Sequence, residues 1–369
     1  MRGGGYGASE TRNSLTDQAV APGHTSRPLQ IGVVAPPWFT TPPTGYGGIE
    51  RVVALLAEGL HKRGHEVTLF APGGSQSDLL SETLPRPMPE YLGSVAVETA
   101  NAVTAYRDWR RFDIIHDHTI AGLAAAAMLP TPVVHTVHGV CAPDAALLYE
   151  AVGRAVELVA ISGHQQTTLP KAVRSTVIYN AIDVESVRWS PEPGSYLLFV
   201  GRAAPEKGPL EAIEIARRAG LPLRVLLKVN EEPEREYFDH IRASVEGPGV
   251  EFELQASEAT KQEAFAGALG TLFPVSWDEP FGLVMIESMA AGTPVIAFPR
   301  GAVPEVIAEG VSGFVRSNVE DAVRAVPALS SVDRAACREY VRTKFDASIA
   351  VEAHERLYRS LVDAHDSSK

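Results

Sequence analysis

The chain is short of sulfur, of basic charge blocks and of long apolar runs. Its only cysteines, Cys141 and Cys337, are far apart in sequence. That excludes a disulfide framework and points to a reducing, cytoplasmic setting. No apolar run approaches the ~18 residues of a membrane span. The net charge is −12, with no dense Lys/Arg block. This argues against nucleic-acid binding and against adhesion to an anionic membrane surface. No Gly-x-Ser-x-Gly or Walker sequence is present, and no repeat of solenoid period. Residues 1–28 are rich in Gly, Ser and Thr and lack the apolar core of a signal peptide, so they are expected to form a disordered tail.

What is present is a regular alternation. At 369 residues the chain exceeds the size one core sustains, so two domains are expected. Apolar strand-like runs fall at 31–35, 67–70, 113–116, 132–137, 158–161 and 176–178, with helical stretches between them. A Trp-Ser-Pro-Glu-Pro-Gly break at 189–194 interrupts the series, which restarts at 197–201, 223–229, 250–254, 270–274 and 295–298. Two such series predict two doubly wound α/β domains, over 29–189 and 190–345. Residues 346–369 are a final helix, for which packing back on the first domain is one arrangement. In such folds ligands bind beyond the carboxyl ends of the strands, here in the cleft between the domains.

The polar residues at those strand ends carry the chemistry. The stretch 273–298 reads FPVSWDEPFGLVMIESMAAGTPVIAF, with Glu279 in a loop and Glu287 inside a helix over 281–291. The helical neighbours of Glu287 are apolar, so its carboxylate needs a partner: a helix N-terminus, a basic side chain or a hydroxyl-rich ligand. Arg202 and Lys207 bracket a strand-to-helix turn, a beginning of an anion site. Gly47 and Gly48 precede the first long helix, where backbone can approach a phosphate or sugar. Histidines gather at His116, His118, His135 and His138. No helical His-x-x-x-His accompanies them, which argues against a metal. His138, at a strand end, suits a neutral hydrogen-bonding role.

Together these residues resemble the retaining glycosyltransferases of family 4, with the GT-B fold of two Rossmann-like domains facing across a cleft. The resemblance spans about 31–358. It rests on Glu279 and Glu287 with Ala291-Gly292-Thr293-Pro294, on Gly301-Ala302-Val303-Pro304-Glu305, on Gly310-Val311-Ser312-Gly313-Phe314, on Val200-Gly201-Arg202 with Lys207, and on Gly47-Gly48-Ile49-Glu50. A branch containing antibiotic-pathway enzymes is the most similar. The resemblance implies that Glu279 binds donor-sugar hydroxyls and that Glu287 binds the ribose. Backbone amides of Phe281, Gly282, Leu283 and Val284 meet the sugar and diphosphate. Arg202 and Lys207 stabilise the departing diphosphate, and Gly47 and Gly48 approach it from the other domain. His138 contacts the sugar near the reacting carbon. Leu254 and Gln255 are base contacts, and Asn180 contacts the donor, although Ala181 stands where the family has glycine. His116 and His118 fall where the acceptor binds.

The implied reaction moves a hexosyl or N-acetylhexosaminyl group from a nucleoside-diphosphate sugar, with uracil as the base, to a hydroxyl of a small soluble acceptor. No cofactor and no metal are implied. The chain has no Asp-x-Asp, the usual way a sugar-nucleotide enzyme holds a divalent ion. A membrane is not expected as a partner, since the segment 95–111 carries basic residues only at Arg107, Arg110 and Arg111. Rival readings are a sugar-nucleotide epimerase or hydrolase of the same fold, and a non-catalytic nucleotide-sugar-binding protein. Donor turnover without an acceptor separates the first from a transferase. The presence of Glu279, Arg202 and Lys207 speaks against the last.

Overall fold

A computed structural model describes residues 27–45, 47–245 and 249–369. The tail expected over 1–28 lies outside these apart from Arg27 and Pro28; Arg27 pairs with Asp113 at 2.7 Å.

Among the described residues thirteen strands form two sheets. The first contains β1 (Gln30–Val34), β2 (Glu66–Ala71), β3 (Leu80–Glu82), β4 (Ile114–Asp117), β5 (Val133–Val137), β6 (Val156–Ala160) and β7 (Arg174–Val177). Their order is β3-β2-β1-β4-β5-β6-β7. The second contains β8 (Leu197–Arg202), β9 (Leu223–Lys228), β10 (Val250–Leu254), β11 (Gly270–Phe273), β12 (Val295–Ala297) and β13 (Gly313–Val315). Its order is β10-β9-β8-β11-β12-β13. All neighbouring pairs are parallel. Strands covered by helices on both faces bury continuous apolar runs, and β5 and β6 are buried along their whole length. The strands missed from sequence, β3 and β13, have three residues each and lie at sheet edges, too short to show a period.

Both sheets reverse their winding once, between β1 and β4 and between β8 and β11. Connections leave such a point toward opposite faces, which opens a crevice at the carboxyl ends of the two strands. The residues that follow β8 and β11 include Lys207 and Glu279, so the topology alone brings them together.

The chain crosses between the sheets twice. Helix Arg334–Lys344 packs on helix Leu283–Ala290 of the second sheet, whereas the last helix, Ala347–Asp366, packs on helix Gly48–Lys62 of the first. The return is pinned where the Ile182 N–H donates to the Phe345 carbonyl at 3.0 Å and the Ala347 N–H to the Ile182 carbonyl at 2.8 Å. The last helix buries Val351, His354, Tyr358 and Val362, one stripe along its length.

This stripe meets a histidine-rich interior. The His116 ring lies 5.2 Å from that of His354 and 4.1 Å from that of His118. His116 Nδ1 is 2.5 Å from the Tyr358 hydroxyl, and its Nε2 is 2.7 Å from Thr136 Oγ1. Burial holds all these rings neutral. It lowers His354 and His135 to about 4 and His138 to about 3, and puts His116 and His118 well below the usual histidine range.

A pH dependence of stability follows. An unfolded histidine titrates near ~6.5, so between that pH and ~4 the unfolded chain binds protons that the native interior refuses. Stability therefore falls as pH drops through this window. Asp117, raised by burial to about 6, Glu50, raised by burial to about 7, and Glu98, also raised by burial, oppose the trend, but the five histidines, joined by His65, which burial also lowers, outnumber them. The melting temperature should decline from about pH 6.5 to 4.5, with a shallower slope in His354→Leu. A flat or rising profile in the wild-type protein contradicts this account.

Candidate active site

At the reversal point of the second sheet, Lys207 Nζ stands 2.8 Å from Glu279 Oε2. Trp277 Nε1 donates to the same oxygen at 3.0 Å, and Lys207 Nζ lies 4.3 Å from the centre of the Trp277 ring. The pair is largely out of water, with 16% of the lysine and 9% of the glutamate side chain exposed. Backbone fixes both loops. The Ser276 N–H donates to the Glu206 carbonyl at 2.9 Å, and the Ala302 N–H to the Glu279 carbonyl at 2.8 Å. Gly301 must be glycine here, because a Cβ would fall 2.2 Å from the Glu279 carbonyl oxygen.

The same loop ends at a helix N-terminus. Gly282, with φ 87°, turns the chain into helix Leu283–Ala290. Phe281 and Gly282 are buried, while Leu283 and Val284 are half-buried at the helix start. Their N–H groups belong to the first turn, which has no internal acceptors and carries partial positive charge. Arg202, at the end of β8, is held by Glu206 at 2.8 Å and by buried Glu234 at 3.3 Å. Glu234 is itself fixed by the Asn230 N–H at 2.7 Å. Lys207 thus meets Glu279 in the loop that leads into this helix start, with Arg202 at the end of β8, an arrangement suited to a large anion.

Glu287 answers the question raised by its apolar neighbours through Lys261, whose Nζ is 2.8 Å away. Lys261 also meets Glu258 at 3.1 Å, and Glu258 meets Arg51 of the first domain at 2.8 Å. A cavity of about 150 Å³ opens beside Glu287, Lys261, Arg51 and Leu55. At the end of β10, Leu254 is exposed and Gln255 is the only non-glycine residue with positive φ among those described. The Gln255 amide donates to the Val229 carbonyl at 2.9 Å.

From the first domain, Gly47 and Gly48 start helix Gly48–Lys62. Gly48 faces the second domain directly: a Cβ there would lie 3.2 Å from Leu283 Cδ1. His138 is half-buried just past β5, with Nε2 2.9 Å from His118 Nδ1. Its depressed pKa, from burial first and then repulsion by His135 and His354, keeps it neutral. Asn180 is buried and shares a small cavity with His118 and His354. Ala181 is not among the residues of positive φ, so the loop does not need the expected glycine. One expectation is corrected. His116 is fully buried and spends both ring nitrogens on Tyr358 and Thr136, which takes it out of the acceptor-contact set. His118 is 5% exposed and turns one nitrogen to His138.

Three residues at this cleft escaped the sequence reading, Lys261, Trp277 and Lys228, and Glu50 entered it only as part of a motif. Trp277 lies two positions from Glu279 and had a signal in that spacing. Lys261 lies 26 residues from Glu287, and nothing local links them. Among the described residues, no three His, Cys, Asp or Glu side chains converge to hold a metal ion. None of the described helices is long and apolar enough to cross a membrane.

Comparison with known proteins gives the same picture. The profile described as Glycosyltransferase Family 4 matches residues 46–186, and that described as Glycosyl transferases group 1 matches residues 185–344. A phosphatidyl-myo-inositol mannosyltransferase of Mycolicibacterium smegmatis is 29% identical, over 77% of this chain and 80% of its own length. A D-inositol 3-phosphate glycosyltransferase of Pseudarthrobacter chlorophenolicus is 26% identical, over 73% of this chain and 78% of its own. Among solved structures, AviGT4, a glycosyltransferase involved in avilamycin A biosynthesis, superposes with a TM-score of 0.70 at 25% identity, covering 91% of this chain and 99% of that one. HepE of Anabaena, solved with UDP-glucose, shares the fold at a TM-score of 0.69 and 19% identity, covering 90% of this chain and 100% of that one. The chain is therefore a glycosyltransferase of family 4, built on the GT-B fold of two Rossmann-like domains facing across a cleft.

Proposed function

We propose that this glycosyltransferase is retaining and metal-independent. It transfers a hexosyl or N-acetylhexosaminyl group from a nucleoside-diphosphate sugar, UDP-linked in this reading, to a hydroxyl of a soluble acceptor in the cytoplasm. What supports the reading is the Lys207–Glu279 pair at the reversal of the second sheet, next along the chain to the open start of helix Leu283–Ala290, with Arg202 at the end of β8.

In this reading residues 190–345 bind the donor. The diphosphate lies against the N–H groups of Phe281 to Val284, with Lys207 and Arg202 alongside and Gly47 and Gly48 opposite. Negative charge grows on the β-phosphate as the glycosidic bond breaks. Cations and amides already in place stabilise it without reorganising, usually the largest catalytic term. Glu279 accepts hydrogen bonds from sugar hydroxyls, so Lys207 is shared between that carboxylate and the phosphate. Glu287, beside Lys261, accepts from the ribose hydroxyls. Leu254 and Gln255 border the base, and Asn180 lies at the sugar side. Neutral His138 hydrogen-bonds a sugar hydroxyl near the reacting carbon. The acceptor hydroxyl attacks on the leaving-group face, and its proton passes to a phosphate oxygen.

Residues 29–189 bind the acceptor through the loops 36–43, 72–89 and 116–119, His118 among them. The similarity to AviGT4 favours a natural-product or sugar acceptor. Some relatives are named for lipid acceptors. Here, helix Val95–Tyr106 contains no Lys or Arg to dock on an anionic membrane, which favours a soluble acceptor.

Steady-state kinetics of three variants test the assignments. Lys207→Ala should lower kcat by about 100-fold or more, the scale of losing one charge-stabilising donor. Glu287→Gln should mainly raise the donor KM, because ribose contacts do not change in the transition state. Glu279→Gln should lower kcat as well. Wild-type turnover in Lys207→Ala, or the reverse pattern in the glutamates, overturns the roles. Activity should also survive EDTA, since cations and amides of the chain do what a bound ion does elsewhere. Loss on chelation, restored by Mg²⁺ or Mn²⁺, contradicts this.

A further inference from the structure

The carboxyl of Glu50 has no part in the mechanism above, yet it stands where the donor's diphosphate has to go. Glu50 is the third residue of helix Gly48–Lys62 and is 3% exposed. Its side chain folds back over the start of its own helix. The carboxyl accepts Glu50's own N–H, and a Cβ on Gly47 would lie 2.9 Å from Oε2. This is the helix start that faces Leu283 across the cleft. One of the two helix N-termini bordering the donor crevice is therefore already covered by an anionic side chain.

The charges facing Glu50 come mainly from the second domain. Lys228, at the end of β9, attracts it across the cleft. Lys228 is the register partner of Arg202 and interacts in turn with Glu231 and Glu234. Its Nζ lies 5.8 Å from the ring of Phe39, in the loop that follows β1. On Glu50's own helix, neighbouring Arg51 is engaged by Glu258.

We propose that Glu50 is a proton-linked occupant of the donor's anion site: its carboxylate covers the helix start in the donor-free enzyme, and it takes up a proton when the nucleoside diphosphate binds. The inference rests on the donor-site reading above. An ionised carboxylate and a diphosphate repel strongly in a site withdrawn from water. Protonation removes that repulsion and converts the carboxyl into a hydrogen-bond donor toward a phosphate oxygen. Lys228 is then attracted to the diphosphate in place of Glu50. The group is poised for this. Burial raises its pKa to about 7, against the pull of its own N–H and of Lys228. A second anion raises the pKa further. Binding above pH 7 thus draws in a proton, and affinity falls as pH rises. Below about pH 6 the carboxyl is already neutral and little is taken up.

The test is calorimetric titration of the full chain with UDP and with GDP at pH 7.8, where their terminal phosphates are already ionised, in Tris and in HEPES buffer. The difference in apparent enthalpy reads the protons exchanged. The wild-type enzyme should take up roughly half to one proton per nucleotide, and its affinity should fall up to about ten-fold per pH unit above pH 7. Glu50→Gln should take up clearly less and lose part of that pH dependence. What remains belongs to Lys228, which burial lowers to about 8 and which gains a proton beside the diphosphate, so the double variant Glu50→Gln/Lys228→Met should take up almost none. Lys228→Met is a second probe. Without the lysine's pull Glu50 is protonated beforehand, so uptake at pH 7.8 should drop by about half or more. Nucleotide binding without proton uptake by the wild-type enzyme, or uptake undiminished in Glu50→Gln or Lys228→Met, overturns the inference and leaves the donor site standing. Failure of both nucleotides to bind the wild-type enzyme overturns the donor-site reading with it.

Discussion

The contact between Lys207 and Glu279 is the constraint on which the rest of the cleft depends. Two charges with little exposure cost several kcal/mol to desolvate, and their attraction repays this only if geometry is held tightly. The fold supplies that geometry. The two residues follow β8 and β11, adjacent strands on either side of the point where the second sheet reverses. Gly301 and Ala302 then lock the glutamate's backbone, and Trp277 holds its oxygen. A cation fixed this way needs no reorganisation when an anion forms beside it, which is the condition for electrostatic catalysis.

The first domain supplies the other wall, and the last helix makes that wall continuous with the end of the chain. Tyr358 reaches His116, the His116 ring lies tilted against that of His118, and His118 meets His138. The strand-end histidines are thus mostly interior, neutral because burial makes them so. Direct ties join the two halves. Glu305 accepts the Gly163 N–H at 2.8 Å, and Arg51 pairs with Glu258 at the same distance.

Much of this was legible in the sequence, for reasons that are local. Apolar runs and the break at 189–194 marked both sheets, because strands buried on two faces need unbroken apolar sequence. Glu279 was conspicuous because carboxylates are rare among such neighbours. What escaped were relations across distance. Lys261 lies 26 residues before Glu287, and a helix-to-helix contact leaves no periodic trace. Lys228 reads as an ordinary strand end until the cleft places it near Glu50. His116 read as a ligand contact because alternation fixes which face a side chain takes, not what covers that face. Here a helix more than 200 residues later covers it, as the 242-residue separation from Tyr358 shows.

The central claim is that stabilisation is concentrated on the face from which the diphosphate departs, so that the acceptor enters on that same face. An inverting enzyme instead needs a base behind the acceptor, tuned near the working pH. The interior histidines titrate far below it, with His138 lowered to about 3 and His135 to about 4, and Asp117, raised by burial to about 6, is fully buried with its oxygens spent on Tyr106 and Thr119. The most direct measurement is the anomeric coupling constant of early product by one-dimensional NMR, read before mutarotation, from an α-linked sugar nucleotide. The account predicts an α-glycoside; a β-glycoside would contradict it.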